Sequence, residues 1–176
     1  MARQDIPNPK QHEKGRGIIE SILRWIPGFR GYLEKEYRRE SDALARKWMV
    51  DRLYQGKRAL DAYSRTLVDA GQIDAMNLID RLRAKMDKVV ARIDGAMHGY
   101  SGFFDFARVD EDLLDDVYDH DHAMMKEVDD LADEIEKSAY STDDPAGKMA
   151  DWMPRLDKIE QHIDGRARLL QGLGTQ

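Results

Sequence analysis

The chain has 176 residues, of which 35% are charged and 8% aromatic, and its net charge at pH 7 is −6. It contains no cysteine, which excludes disulfides, thiolate metal sites and cysteine nucleophiles and favours a cytoplasmic location. No run of about 20 apolar residues is present, so the protein is not predicted to be integral to a membrane.

Charge is distributed unevenly along the chain. Residues 1–60 carry 14 basic and 8 acidic side chains, whereas residues 105–144 carry 3 basic and 16 acidic ones. Two interpretations remain open. The basic and acidic elements either face each other inside one bundle, or the basic end binds an external anionic partner.

The N-terminal region is the most informative part of the sequence for function. Residues 1–16 are predicted to form a disordered polar leader, and residues 17–30 an amphipathic helix ended by the Pro27-Gly28 turn. Basic residues beside an apolar face with a tryptophan are typical of a helix that lies on an anionic membrane. The alternative is that this helix folds back and caps the bundle. The predicted membrane or partner contacts are Ile18, Ile19, Ile22, Trp25, Ile26, Phe29, Arg24, Arg30, Arg38 and Arg39.

Residues 31–173 are predicted to form a helical bundle. The first long helix should run from near residue 31 or 34 to Ala70, with Gly71 as its stop. A second helix is expected at about 73–97, and the short linker favours an antiparallel hairpin. Apolar residues at alternating spacings of three and four mark the buried side of the first helix. They are Met49, Leu53, Gly56, Leu60, Tyr63 and Leu67.

Two further helices follow. Asp110 is a predicted N-cap of the third helix, and Asp144-Pro145 is the predicted start of the fourth, in which Pro154 either bends the helix or delays its start. Residues 99–106 are interpreted as an aromatic plug at one end of the bundle, or alternatively as a loop that docks a partner. The predicted fold is therefore all-α, an up-down bundle of about four helices preceded by a short amphipathic helix. A long first hairpin with the other helices at one end is the alternative.

Histidines and carboxylates on the third helix suggest a possible metal site. Positions three and four apart share one helix face, and imidazole with carboxylate suits a divalent ion. The chain nevertheless lacks the Glu-x-x-His motif of di-iron bundles. No cofactor is therefore predicted, and metal binding stays an alternative. The candidate ligands are Asp116, Asp119, His120 and His122.

Two polar residues fall on otherwise apolar helix faces. Asp121 of the third helix and Arg166 of the fourth have Val, Met, Ile and Leu as neighbours on those faces. A buried ion pair between them would fix the register of the two helices. The alternatives are a titrating Asp121 in a pocket, or two residues at the water-exposed rim.

The sequence favours a non-enzymatic interaction or scaffold protein. No nucleophile elbow and no phosphate-binding glycine loop is present, so no catalytic residue is predicted. The expected partners are another protein, a second copy of the chain, or an anionic membrane surface to which the protein would be peripheral. Nucleic acid is not expected, because the overall charge is acidic. The alternatives are the metal-binding bundle and a subunit of a larger helical assembly.

Overall fold

A computed structural model describes residues 21–28, 38–95 and 111–171. Four long helices make up most of these residues: α1 (Arg38–Asp69), α2 (Met76–Gly95), α3 (Glu111–Ser138) and α4 (Pro145–Gln171). A 3-10 turn at Ile73–Ala75 precedes α2, and no strand occurs in the described ranges. The predicted all-α bundle is confirmed. The predictions for residues 1–16, 99–106 and Asp110 lie outside the described residues.

The helices alternate in direction. Arg52 of α1 pairs with Asp129 of α3 (2.7 Å), and further along both helices the hydroxyl of Thr66 donates to the carbonyl of Ala139 (2.8 Å). Hence α1 and α3 are parallel neighbours, while short links make α1–α2 and α3–α4 antiparallel hairpins. Since α4 packs on α2 and α3, the pairs α1/α4 and α2/α3 occupy the two diagonals. None of the helices within the described ranges is long and apolar enough to cross a bilayer.

The core lies along the axis between the four helices. All six predicted apolar positions of α1 are buried, and each large one contributes about 1.5–3 kcal/mol of hydrophobic stabilisation. Gly56 allows a close approach, because an added Cβ would lie 3.3 Å from the Cα of Ala132 on α3. The buried residues that the other three helices contribute at the same kind of spacing include Ile79, Leu82, Met86, Val89, Ile93, Val117, Met124, Val128, Leu131, Ile135, Met149, Trp152, Leu156 and Ile159.

Helix ends follow the predicted signals. Gly71 has a φ of 75°, and the amide of Gln72 donates to the carbonyl of Leu67 (2.8 Å), which closes α1 as a Schellman motif. At the start of α4, the Oδ1 of Asp144 accepts from the amide of Gly147 (2.9 Å). The helix continues through Pro154 without interruption. Both hairpin turns are therefore held by their own hydrogen bonds.

Ion pairs join the helices on the flanks of the bundle. Arg52 of α1 is bound by three carboxylates of α3, those of Asp129, Asp133 and Glu136. On the other side of the bundle, Glu160 of α4 pairs with Lys85, Lys88 and Arg92 of α2. Arg52 thus connects the basic part of the chain to the acidic helix α3, and both interpretations of the charge pattern stay predictions.

Glu160 makes the free energy of unfolding depend on pH in the acidic range. Burial alone would raise its pKa, but hydrogen bonds from Lys85, Lys88 and Arg92 outweigh burial and lower the pKa to about 2. Its contribution to the free energy of unfolding is therefore complete above the ordinary glutamate pKa and is lost as the pH falls through about 2.

We expect Glu160→Gln to lower the free energy of unfolding at pH 7 by about 1–3 kcal/mol, the usual size for hydrogen bonds to a charged group. The difference from wild type should shrink as the pH falls from 4.5 towards 2, as measured by urea unfolding at each pH. The matched control is Asp94→Asn, an exposed carboxylate near the end of α2, which should change stability by less than about 0.5 kcal/mol. A difference that does not depend on pH would contradict the assignment.

Candidate functional site

The N-terminal segment, residues 21–28, folds onto the bundle. Ile22 and Ile26 are 0% and 5% exposed and belong to the core. Trp25 stacks against Trp48 of α1 and against His122 of α3, each with ring centroids 5.4 Å apart. The bundle offers these apolar side chains a surface that removes them from water.

In this structure Ile22 and Ile26 lie in the core and Trp25 is partly buried, as the capping alternative expects. Contact of these three residues with a membrane or partner stays a prediction. Arg24 is exposed beside them. The remaining predicted contacts have side chains outside the described part of the chain. They are Ile18, Ile19, Phe29, Arg30, Arg38 and Arg39.

The four candidate metal ligands are not brought together. Asp116 and Asp119 are exposed on α3, and His122 is engaged with Trp25. The Nε2 of His120 donates instead to the carbonyl of His162 on α4 (2.6 Å), and the two rings contact edge to face. Burial, together with the nearby His120, lowers the pKa of His162. In residues 21–28, 38–95 and 111–171, no three His, Asp or Glu side chains are arranged to hold a metal ion.

Four buried charged residues meet near the N-terminal segment, and we call them the charged cluster: Asp42 and Arg46 of α1, Asp121 of α3 and Arg166 of α4. They are 3%, 9%, 2% and 6% exposed, respectively. The Nε and Nη2 of Arg166 donate to the two carboxylate oxygens of Asp121 at 2.6 and 3.0 Å. The same Nη2 donates to Oδ1 of Asp42 (2.7 Å), whose other oxygen pairs with Arg46. The buried pair predicted from the sequence is present, but it is half of a larger group.

The sequence also contained a signal for Asp42 and Arg46. Counting back from Met49 by three and then four, the spacing of the buried side of α1 reaches Arg46 and Asp42. Because Asp42 and Arg46 are charged, the apolar spacing did not identify them as part of the buried side of α1. Formal charges in the cluster cancel, yet burial raises the pKa of Asp42 in spite of Arg166 and Arg46.

A small cavity lies against the charged cluster. Its volume of about 20 Å³ accommodates about one water molecule. The Nε and Nη1 of Arg46 are buried and have no hydrogen-bond partner among the described residues. The rest of the wall is mostly apolar and includes Met49, Met124 and Ile163. Two donors of Arg46, which lines this cavity, therefore have no partner among the described protein atoms.

A second feature is at the opposite end of the bundle, where the two hairpin turns meet. We call this the loop end, residues 66–78 and 139–147. The side-chain amide of Gln72 donates to the carbonyl of Thr142 (3.1 Å) and joins the two turns. A groove of about 460 Å³ runs between them, and Ala75, Leu78 and Pro145 form part of its wall.

Large apolar side chains are exposed at the loop end. Tyr140 is 87% exposed, Ile73 66% and Val68 47%. The two ranges of the loop end also contain four aspartates and no lysine or arginine. Ile73 and Tyr140 are unusual residues for exposed turns, and they are the sequence signal from which this surface could be predicted. The aspartates are Asp69, Asp74, Asp143 and Asp144.

Comparison of the chain with protein-family models, curated proteins and solved structures gives no match. The charged cluster and the loop end are therefore the two candidate sites. The charged residues of the cluster are buried and pair with one another, whereas the loop end presents apolar and acidic side chains to solvent.

We expect Arg166→Met to lower the free energy of unfolding by about 3–5 kcal/mol, because two buried carboxylates lose a partner. Adding Asp121→Leu should recover part of this loss, since an apolar replacement removes one unpaired charge. Arg168→Met, at an exposed position on the same helix, is the control and should change stability by less than about 0.5 kcal/mol. Urea unfolding measures all three variants, and equal losses for Arg166→Met and Arg168→Met would refute the role of the cluster.

Proposed function

We propose that the protein is a non-enzymatic helical interaction module that binds a basic, partly apolar segment of another protein at its loop end. The observation that supports this most directly is the exposure of Tyr140 (87%) and Ile73 (66%) on the two turns between which the groove lies. Exposed large apolar side chains among polar groups are typical of protein interaction sites.

The loop end is a better candidate for docking than the N-terminal segment. Ile22 and Ile26 are already buried against the bundle, so releasing them would expose apolar surface to water. At the loop end, burying Ile73 and Tyr140 against a partner would instead remove apolar surface that is exposed in the free protein. Docking there leaves the core unchanged.

Charge indicates the chemistry of the partner. The four aspartates of the loop end are the only charged residues in 66–78 and 139–147. Lys148, directly after the second turn, donates to the hydroxyl of Ser141 (2.8 Å) and offsets part of this charge. Elsewhere, the helix flanks carry ion pairs between helices, such as those of Arg52 and Glu160. Complementary charge accelerates association and selects against partners of the same sign. A segment with lysines or arginines next to an aliphatic or aromatic side chain fits this surface.

The groove is held in shape by contacts within the protein. Gln72 bridges to Thr142, the hydroxyl of Thr66 bonds to Ala139, and Asp144 caps α4. A preformed surface loses little conformational entropy when a partner binds, which improves affinity. The proposal of a non-enzymatic role is supported by the charged cluster, whose cavity has room for about one water rather than a substrate.

The test is selection of a random peptide library on the full chain, followed by binding measurements on the selected peptides. We expect peptides that combine basic and apolar residues. The variant Ile73→Ser/Tyr140→Ser should weaken their binding at least about tenfold, equivalent to 1.4 kcal/mol, because it removes the apolar anchors.

Tyr54→Ser is the matched control, since Tyr54 is also exposed (44%) but lies on the flank of α1. It should bind the selected peptides as wild type does. Circular dichroism establishes that both variants keep their helices. Peptides without basic residues, or equal binding by the double variant and wild type, would overturn the proposal. Association of the full chain with itself that depends on Ile73 and Tyr140 would instead assign the surface to a second copy.

A further inference from the structure

We propose that the groove at the loop end binds an arginine side chain of the partner segment, whose guanidinium is held by the carboxylates of Asp74 and Asp144. The two aspartates belong to different turns, and both line the groove. This inference rests on the proposed function and assigns one residue type of the partner to one place in the docking surface.

The size and the apolar part of the groove suit one long side chain. Its volume of about 460 Å³ falls within the range of roughly 300–1,000 Å³ that is usual for small-ligand sites. Ala75, Leu78 and Pro145 provide apolar wall, and the aliphatic stem of a lysine or arginine packs well on such a surface while its charged end stays among polar groups. A side chain with an apolar stem and a polar end therefore matches both parts of the lining.

The charge of the groove selects a cation. Among the described residues, Asp74 and Asp144 are the only charged ones that line it. The starts of α2 and α4 contribute a partial positive charge of about half a unit each, which is less than the two carboxylates carry. Lys148, directly after the second turn, donates to the hydroxyl of Ser141 (2.8 Å), and its Nζ lies 5.3 Å from the ring centroid of Tyr63. The lining of the groove therefore keeps a net negative charge.

Two carboxylates on separate turns favour arginine over lysine. A guanidinium donates hydrogen bonds in several directions within one plane, so it can bind acceptors on two walls, whereas an ammonium is a compact and strongly hydrated charge. The weaker hydration of the guanidinium also lowers the cost of entering a partly apolar groove. The hydrogen bond from Gln72 to Thr142 (3.1 Å) joins the two turns, so the carboxylates are in place before a partner binds.

Titration of the full chain with n-butylguanidinium, a guanidinium on a four-carbon stem, tests the groove directly by NMR. We expect saturable shifts of the amide signals of Gly71, Gln72 and Ala146, which line the groove, with a Kd on the order of millimolar for so small a ligand. Asp74→Asn should weaken this binding at least about threefold, because it removes a carboxylate from the wall. Asp69→Asn is the matched control and should bind as wild type does, since Asp69 is an exposed aspartate of the loop end that lies outside the lining of the groove.

Two results of this titration would overturn the arginine site. Equal weakening by Asp69→Asn and Asp74→Asn would mean that the overall charge of the loop end attracts the cation. Equal shifts with n-butanol would mean that apolar contact alone accounts for binding. Circular dichroism establishes that both variants keep their helices.

Peptides selected on the full chain separate this inference from the proposed function. Replacing the arginine that occupies the groove by citrulline, which has a similar shape and no charge, should weaken binding to wild type at least about threefold and binding to Asp74→Asn by less. Binding that requires Ile73 and Tyr140 but is insensitive to citrulline and to Asp74→Asn would overturn the arginine site and leave the proposed function standing. Saturable binding of n-butylguanidinium in the groove, together with peptides that do not depend on Ile73 and Tyr140, would support the arginine site and overturn the proposed function.

Discussion

The guanidinium group of Arg166 is the constraint on which the arrangement of the helices depends. From α4 it binds Asp121 on the neighbouring α3 and Asp42 on α1, across the diagonal of the bundle. Apolar contacts have no preferred direction. The hydrogen bonds of a buried guanidinium are directional, so its two carboxylates can occupy only a few positions. We infer that this group selects one register of α1, α3 and α4, at a desolvation cost that a purely apolar core would avoid.

Ion pairs on the flanks complement the charged cluster. Arg52 joins α1 to α3, and Glu160 joins α4 to α2, so each parallel pair of helices has its own charged contact. Arg52 uses part of the basic charge of residues 1–60 within the molecule, and an external anionic partner stays a prediction. The loop end is different, because aspartates are the only charged residues of its two turns, although Lys148 directly after them binds the hydroxyl of Ser141 (2.8 Å). The surface proposed for docking thus combines exposed apolar side chains with acidic ones.

Much of the fold could be predicted from the sequence, because helix spacing and end signals are local. Helical spacing alone allows either Leu82 or Arg83 on the buried side of α2. The structure buries Leu82, and Arg83 pairs with Asp61 of α1 (2.8 Å). The orientation of the N-terminal segment could not be predicted. The same apolar face of Ile22 and Ile26 suits a membrane or a bundle, and only the presence of a matching surface on α1 and α3 decides between them.

Sites formed by several helices were harder to predict for the same reason. The pairing of Asp121 with Arg166 was recognisable because each interrupted an apolar face. Asp42 and Arg46 lie beyond the last apolar residue from which the face of α1 was counted. The groove of the loop end requires two turns about 70 residues apart to meet, as Gln72 and Thr142 do. A pattern of a few neighbouring residues cannot predict a contact between residues so far apart in the sequence.

The diagonal placement of α2 and α3 has a consequence for the order of folding. Each hairpin is local in sequence and is closed by a short turn, so the two can form early and independently. The contacts that join α1 to α3 are remote, with Arg52 binding carboxylates 77 to 84 positions away. We therefore expect docking of one hairpin on the other, which closes the longest loops, to be the slow step of folding. Gly56 and Ala132, where the two hairpins approach closely, are positions at which substitutions would report on that transition state.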